Sequence, residues 1–101
     1  MPDITLIDPL NRAFVLADRT WYGHIIIGHP EVKAYRHLVE QAVTSPLCIR
    51  TSSSSTDCRI CFGTGPRSSV VLAVVVDVSL GIVKTAYLSK TMTSGDLEWQ
   101  P

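Results

Sequence analysis

Val70-Val71-Leu72-Ala73-Val74-Val75-Val76-Asp77-Val78, then Ile82-Val83-Lys84-Thr85-Ala86-Tyr87-Leu88 after the turn Ser79-Leu80-Gly81, is the stretch of this 101-residue chain that decides its fold. The first segment is rich in β-branched residues and apolar on both faces as far as Asp77, the mark of a strand in the middle of a sheet. The second alternates. Val83, Thr85 and Tyr87 share one face, while Ile82, Lys84, Ala86 and Leu88 share the other. Two such strands around a tight turn make the centre of an antiparallel sheet.

Reading outward toward the N-terminus, Leu47 to Thr51 and Cys58 to Phe62 predict two further strands. They flank the hydroxyl run Thr51 to Thr56, closed by Asp57, which has the composition of a hairpin loop. Gly63-Thr64-Gly65-Pro66-Arg67 is a turn that lacks the Gly-Lys-Ser ending of a phosphate-binding loop. Before Pro46 the period becomes helical. Asp18 stands as an N-cap ahead of a stripe of Trp21, Tyr22, Ile25 and Ile26, and Gly28 ends that helix. Pro30 suits the first position of a second helix, in which Val32, Tyr35, Leu38, Val39, Ala42 and Val43 recur until Ser45-Pro46. Ile4 to Ile7 and Ala13 to Leu16, around Asp8-Pro9-Leu10-Asn11, predict a hairpin. In the tail, Gly95 reads as a turn and Trp99 as an apolar anchor. The expectation is one α+β domain over residues 1–101: a short N-terminal hairpin and two helices packed on a roughly four-stranded antiparallel sheet. Trp21, Ile25, Tyr35, Leu38, Leu72 and Val74 are expected in its core.

Composition narrows the function classes. Hydrophobic residues are 46% and charged residues 18%, which suits a packed core rather than a disordered chain. Nine basic side chains balance nine acidic ones. That balance counts against a protein that binds nucleic acid through a general excess of cations, but leaves room for a local basic site. The longest apolar run, Val70 to Val76, is far short of the ~20 residues of a membrane-spanning helix. The first residues carry Asp3 and Asp8 and no basic-then-apolar pattern of a signal peptide. Three cysteines cannot all pair within the chain, which favours a reducing compartment, so a cytoplasmic location is expected.

Three constellations carry chemistry. Cys58 and Cys61 have the spacing of half a zinc site, with His24 and His29 as further ligands. Residues i and i+3 of a strand point to opposite faces, however, and histidines five apart on a helix diverge by about 140°. Buried strand cysteines and no metal are the expectation. The second is His24 on the flank of the Trp21/Ile25 stripe, where an imidazole borders the core and reaches a groove for general acid or base work. His29, at the junction between helices, is suited to satisfying a backbone N–H there. The third is the set of polar groups on apolar strands, Arg50, Arg59, Lys84, Thr85 and Tyr87. Taken singly they fit a solvent-facing alternation, and together they resemble a phosphate pocket with a base-stacking platform.

The order of these motifs resembles a known pattern. His24-Ile25 with His29-Pro30-Glu31, Ser45-Pro46-Leu47 with Ile49-Arg50, Val83-Lys84-Thr85-Ala86-Tyr87, and Gly95 with Trp99 are similar to the successive signatures of small phage- and mobile-element-associated domains. Those domains are grouped with the barnase, EndoU, colicin D and RelE-like nucleases, and the resemblance spans about Ile4 to Trp99. It implies two helices on a four-stranded antiparallel sheet. It also implies metal-independent, cofactor-free ribonuclease activity, often as a toxin held by an antitoxin or immunity protein. Carried over by position, His24 and His29 match its two histidines and Thr85 and Tyr87 its Thr-Ala-Tyr. On this resemblance His24 would transfer the proton and Arg59, with Arg50 or Lys84, would stabilise phosphate charge. Thr85 would position a phosphate oxygen, Tyr87 would stack on a base, and Trp99 would contribute to substrate binding. The chain departs from the pattern at Cys58-Arg59-Ile60-Cys61-Phe62, at Lys84 and at the serine run. The alternative reading is a binding or accessory module that keeps the scaffold without the chemistry. Convergence of His24, Arg59, Thr85 and Tyr87 in one pocket favours the enzyme, and their scatter over different faces favours the module.

Overall fold

The computed structural model describes residues 2–101. Its strands are β1 (Ile4–Ile7), β2 (Ala13–Leu16), β3 (Cys48–Thr51), β4 (Cys58–Arg67), β5 (Val70–Asp77), β6 (Ile82–Ser89) and β7 (Leu97–Trp99). They form one mixed sheet in the order β1-β2-β6-β5-β4-β3-β7. The α+β class is as expected, but the sheet has seven strands rather than about four. The antiparallel run β6-β5-β4-β3 is the expected part. The N-terminal hairpin joins it through one parallel pairing, Val15 with Ile82, and the tail adds β7 beside β3. Neither junction leaves a sequence signal, because a single bridge and a three-residue strand have no periodicity.

The helices also differ from the periodic reading in their local turns. The first spans 18–28, begins after Ala17 rather than after Asp18, and opens into a π-turn over Trp21–Ile25. That wider turn buries Trp21 and Ile25 and leaves Tyr22 facing solvent. Pro30–Val32 is one 3₁₀ turn, and the second helix runs only over Arg36–Thr44. Val32, Val39, Ala42 and Val43 are fully buried, and Leu38 packs at the margin of the core. Tyr35, expected in the core, sits half-buried at the cap of the second helix, where φ −122° and ψ 30° depart from helical geometry.

The helices pack on one face of the sheet, against Leu72, Val74 and Val76 of β5, Cys61 of β4 and Ile49 of β3. A Cβ on Gly63 would collide with Ala42, so glycine sets how closely the second helix lies on β4. The other face carries Cys48, Ile60, Phe62 and Ala73, with Val71, Val75 and Tyr87 around them. Its cover is the connection 90–96, which leaves β6 beside Val71 and enters β7 at the opposite, Thr51 end of the sheet. Seven residues span at most about 25 Å. That suffices for a diagonal across the four strand spacings of about 4.8 Å from β6 to β7 but not for a detour around the sheet. The helix face is occupied at Gly63, so this strap crosses the other one. Arg50 receives it there, donating from Nε to Ser94 O at 2.7 Å and from Nη2 to Gly95 O at 3.2 Å.

The sheet is strongly coiled. Arg12, between β1 and β2, reaches Glu98 on β7 at 2.7 Å although the two lie at opposite ends of the strand order.

Candidate functional site

A β-bulge decides which side chains of β6 meet. Val75 pairs with Thr85 but Val76 pairs with Val83, so Lys84 is an extra residue. Val83 is thereby turned into the helix-face core together with Ala86, while Thr85 and Tyr87 stay on the strap face. The simple alternation, which put Val83 with Thr85 and Tyr87, fails at this point. Lys84 is left exposed at the bulge.

Beyond its one bridge to β2, the outer margin of β6 has no strand partner among the described residues, and the segments 21–25 and 30–32 lie against it instead. This brings His29 to Tyr87, with ring centroids 5.6 Å apart and planes tilted by 37°. The His29 Nδ1 lies 3.5 Å from Glu31 Oε2, held by the 3₁₀ turn that starts at Pro30. The imidazole makes no capping bond to the next turn, contrary to the structural role its position suggested. His29, Glu31, Thr85 and Tyr87 thus gather at one margin of the sheet. The sequence places Glu31 in the same His29-Pro30-Glu31 segment without giving it a role toward His29; its position two residues on, across a proline, is the signal for that contact.

The remaining expected residues are elsewhere. His24 is exposed on the π-turn, and its ring makes no hydrogen bond, ion pair or ring contact among the described residues. Arg59 pairs with Thr51 and Val76 on the helix face. Its Nε donates to Glu98 Oε2 at 2.7 Å and its Nη1 to Thr56 O at 2.9 Å. Arg50 is engaged by the strap. Trp99 lies opposite Ile49 and packs on the helix-face core, not on a ligand surface. The expected convergence of Arg59 with Thr85 and Tyr87 therefore does not occur, because β4 presents Arg59 to the other side of the sheet.

Arg59 belongs to a network that the sequence did not reveal. Asp8, with its side chain wholly buried, binds Arg12 Nε at 2.8 Å, and its Oδ1 accepts the backbone N–H groups of Leu10 and Arg12. Arg12 and Arg59 then share the two oxygens of Glu98. Burial works to raise the Glu98 pKa, but the hydrogen bonds from Arg12 and Arg59 outweigh it and hold the carboxyl below its ordinary range. Burial likewise opposes a rise at Arg12, where Glu98 and Asp8 prevail and strengthen the guanidinium's hold on its proton. Cys61 lies beside this network, and its thiol is pushed up to about 12, by burial first and then by Asp8.

Cys48, Cys58 and Cys61 are buried free thiols, and Cys58 and Cys61 do not share one site on β4. No three metal-binding side chains cluster among the described residues. The hydroxyl run closes on itself, with Ser52 and Ser54 Oγ 3.1 Å apart. A shallow, mainly apolar hollow lined by Leu47, Thr64, Gly65, Arg67 and Val71 lies at the opposite end of β5 from Thr85. It contains none of the expected site residues. No helix is long and apolar enough to cross a membrane among the described residues. No family model, no curated protein and no solved structure matches the chain.

Proposed function

We propose that this chain is a metal-independent endoribonuclease-like domain of the toxin type, with His29 as its proton-transfer group. One observation carries the reading: the His29 ring packs against Tyr87, which shares β6 with Thr85, while Glu31 stands 3.5 Å from the His29 Nδ1. A carboxylate at Nδ1 favours the proton on that nitrogen and leaves Nε2 to accept one. With RNA in the site, Nε2 takes the proton of a 2′-hydroxyl, and that oxygen attacks the adjacent phosphorus. The P–O5′ bond breaks, giving a 2′,3′-cyclic phosphate and a 5′-oxygen that leaves with a proton from solvent or a second acid. Thr85 positions a phosphate oxygen and Tyr87 stacks on a base or donates a hydrogen bond. Lys84 supplies positive charge from the same strand. The nucleophile belongs to the substrate, so orientation provides much of the rate. An antitoxin or immunity protein is the partner such an activity calls for.

The binding-module reading has its own support. His24 and Arg59 do not join Thr85 and Tyr87, the scatter that favours a module. With Arg59 committed to Glu98 on the helix face, a lysine is left where two cations were expected. Incubating the purified protein with total RNA in EDTA, followed by end-group analysis, separates the two. Cyclic phosphate ends that vanish in His29→Ala support the nuclease. Intact RNA throughout supports the module.

A further inference from the structure

The neutral net charge conceals an uneven distribution. Arg12, Arg36 and Arg59 are held by carboxylates, and Arg50 by the strap carbonyls. Arg19, Lys33, Arg67, Lys84 and Lys90 form no ion pair among the described residues. Of these, Lys84 sits at the β6 bulge and Lys90 immediately follows the strand, so two uncommitted cations bracket Tyr87. Both are exposed. The carboxylates nearby have other engagements: Glu31 faces His29, and Asp77, which feels Lys84 at a distance, accepts hydrogen bonds from Ser79 and Leu80. Lys33 adds a third exposed cation at the end of the turn that carries Glu31.

We propose that Lys84 and Lys90 hold the phosphates of a single-stranded RNA lying along β6, with one base stacked on Tyr87 between them. The inference rests on the ribonuclease reading and names its substrate form. Six residue steps along the chain separate the two lysines, roughly 20 Å at the usual strand rise. That length accommodates about four nucleotides, the short end of known single-strand sites. A duplex fits poorly, because its bases are stacked on one another and offer Tyr87 no free face. Single-stranded RNA satisfies both features of the margin, the spaced cations and the aromatic ring between them.

The test uses a labelled single-stranded oligonucleotide with 2′-O-methyl groups, which lacks the nucleophile and survives the measurement. Its affinity is followed against salt for the unmutated protein, Lys84→Gln/Lys90→Gln, Tyr87→Ala and the charge-matched control Arg19→Gln/Arg67→Gln. Losing two phosphate contacts should flatten the salt slope by about 1.4, at about 0.7 per single-strand phosphate. The control should keep the full slope. Tyr87→Ala should weaken binding about thirtyfold, the middle of the range for one stacked base. Equal slopes for the two double variants, or a duplex of the same length binding as tightly, would overturn the proposal. If the unmutated protein still cleaves RNA in that case, this inference falls alone. If it neither binds nor cleaves any RNA, the ribonuclease reading falls with it. Thermal melts of each variant identify any slope change caused by unfolding.

Discussion

Two clusters of polar side chains divide this molecule, and they are built on opposite logic. At the closed end of the coiled sheet, Asp8, Arg12, Glu98 and Arg59 satisfy one another with contacts of 2.7–2.8 Å. At the margin of β6, His29 meets Tyr87 and Glu31 only loosely, Thr85 and Lys84 lie on the same strand as Tyr87, and all five are at least partly open to solvent. A satisfied network stabilises and orients strands, whereas groups that keep their hydrogen-bonding capacity free are available to a ligand. The difference explains why Arg59, the cation that looked most useful from the sequence, belongs to structure. Glu98 ties β7 to β4 and to the β1–β2 turn, and without Arg59 one of its carboxylate oxygens would lose its partner.

The contrast is broken most sharply by activity. His29→Ala should lower the rate of RNA cleavage by roughly 10²–10⁴-fold, the usual yield of a positioned acid or base, with little change in melting temperature. His24→Ala, which removes an exposed ring without a hydrogen-bond, ion-pair or ring partner among the described residues, should retain most of the rate. A reversed order of the two variants would move the proton-transfer role back to His24.

The core separates residues the sequence treated alike. Ile25 is fully buried and Leu38 only partly, so Ile25→Ala should cost about 3–5 kcal/mol and Leu38→Ala about 2 kcal/mol, within the range for truncated core aliphatics. Denaturant unfolding measures both, and equal costs would show that the second helix is packed more deeply than its exposure indicates.

Glu98 sharpens the comparison through pH. Its carboxyl binds a proton less readily in the folded protein than in the unfolded chain, whose ordinary value is 4.5. Its contribution is therefore complete above that value and is lost as pH falls through the lower folded value. Glu98→Gln should destabilise the protein at pH 7 by about 1–3 kcal/mol, since two partly buried guanidinium groups lose a charged acceptor. The same variant should be less sensitive to acid as pH falls below about 4.5, the ordinary value of the carboxyl. A parallel pH profile for the two proteins would remove Glu98 from the stabilising network.

The smallest effect concerns the thiols. With its thiol raised to about 12, Cys61 should resist alkylation in the native state at pH 8 and react only on unfolding, and EDTA should leave the melting temperature unchanged. Rapid native labelling of Cys61, or a melt lowered by EDTA, would contradict the packing of β4.

Much of the fold was legible in the chain because it depends on local period. The apolar run at 70–76 could only be a central strand, Gly28 and Pro46 stop helices through backbone constraints, and the paired runs around Pro9 make a hairpin. His24, His29, Thr85 and Tyr87 could be nominated for the same reason: polar residues interrupting apolar patterns stand out one position at a time. Which of them meet was decided only in three dimensions. One bulged residue at Lys84 separates Val83 from Thr85, the open margin of β6 admits His29, and β4 turns Arg59 away toward Glu98. A pattern of alternation carries no record of a bulge, of a single parallel bridge, or of an ion pair between residues separated by most of the chain. Those features arise when strands choose partners, and the side-chain geometry of the candidate site follows from that choice.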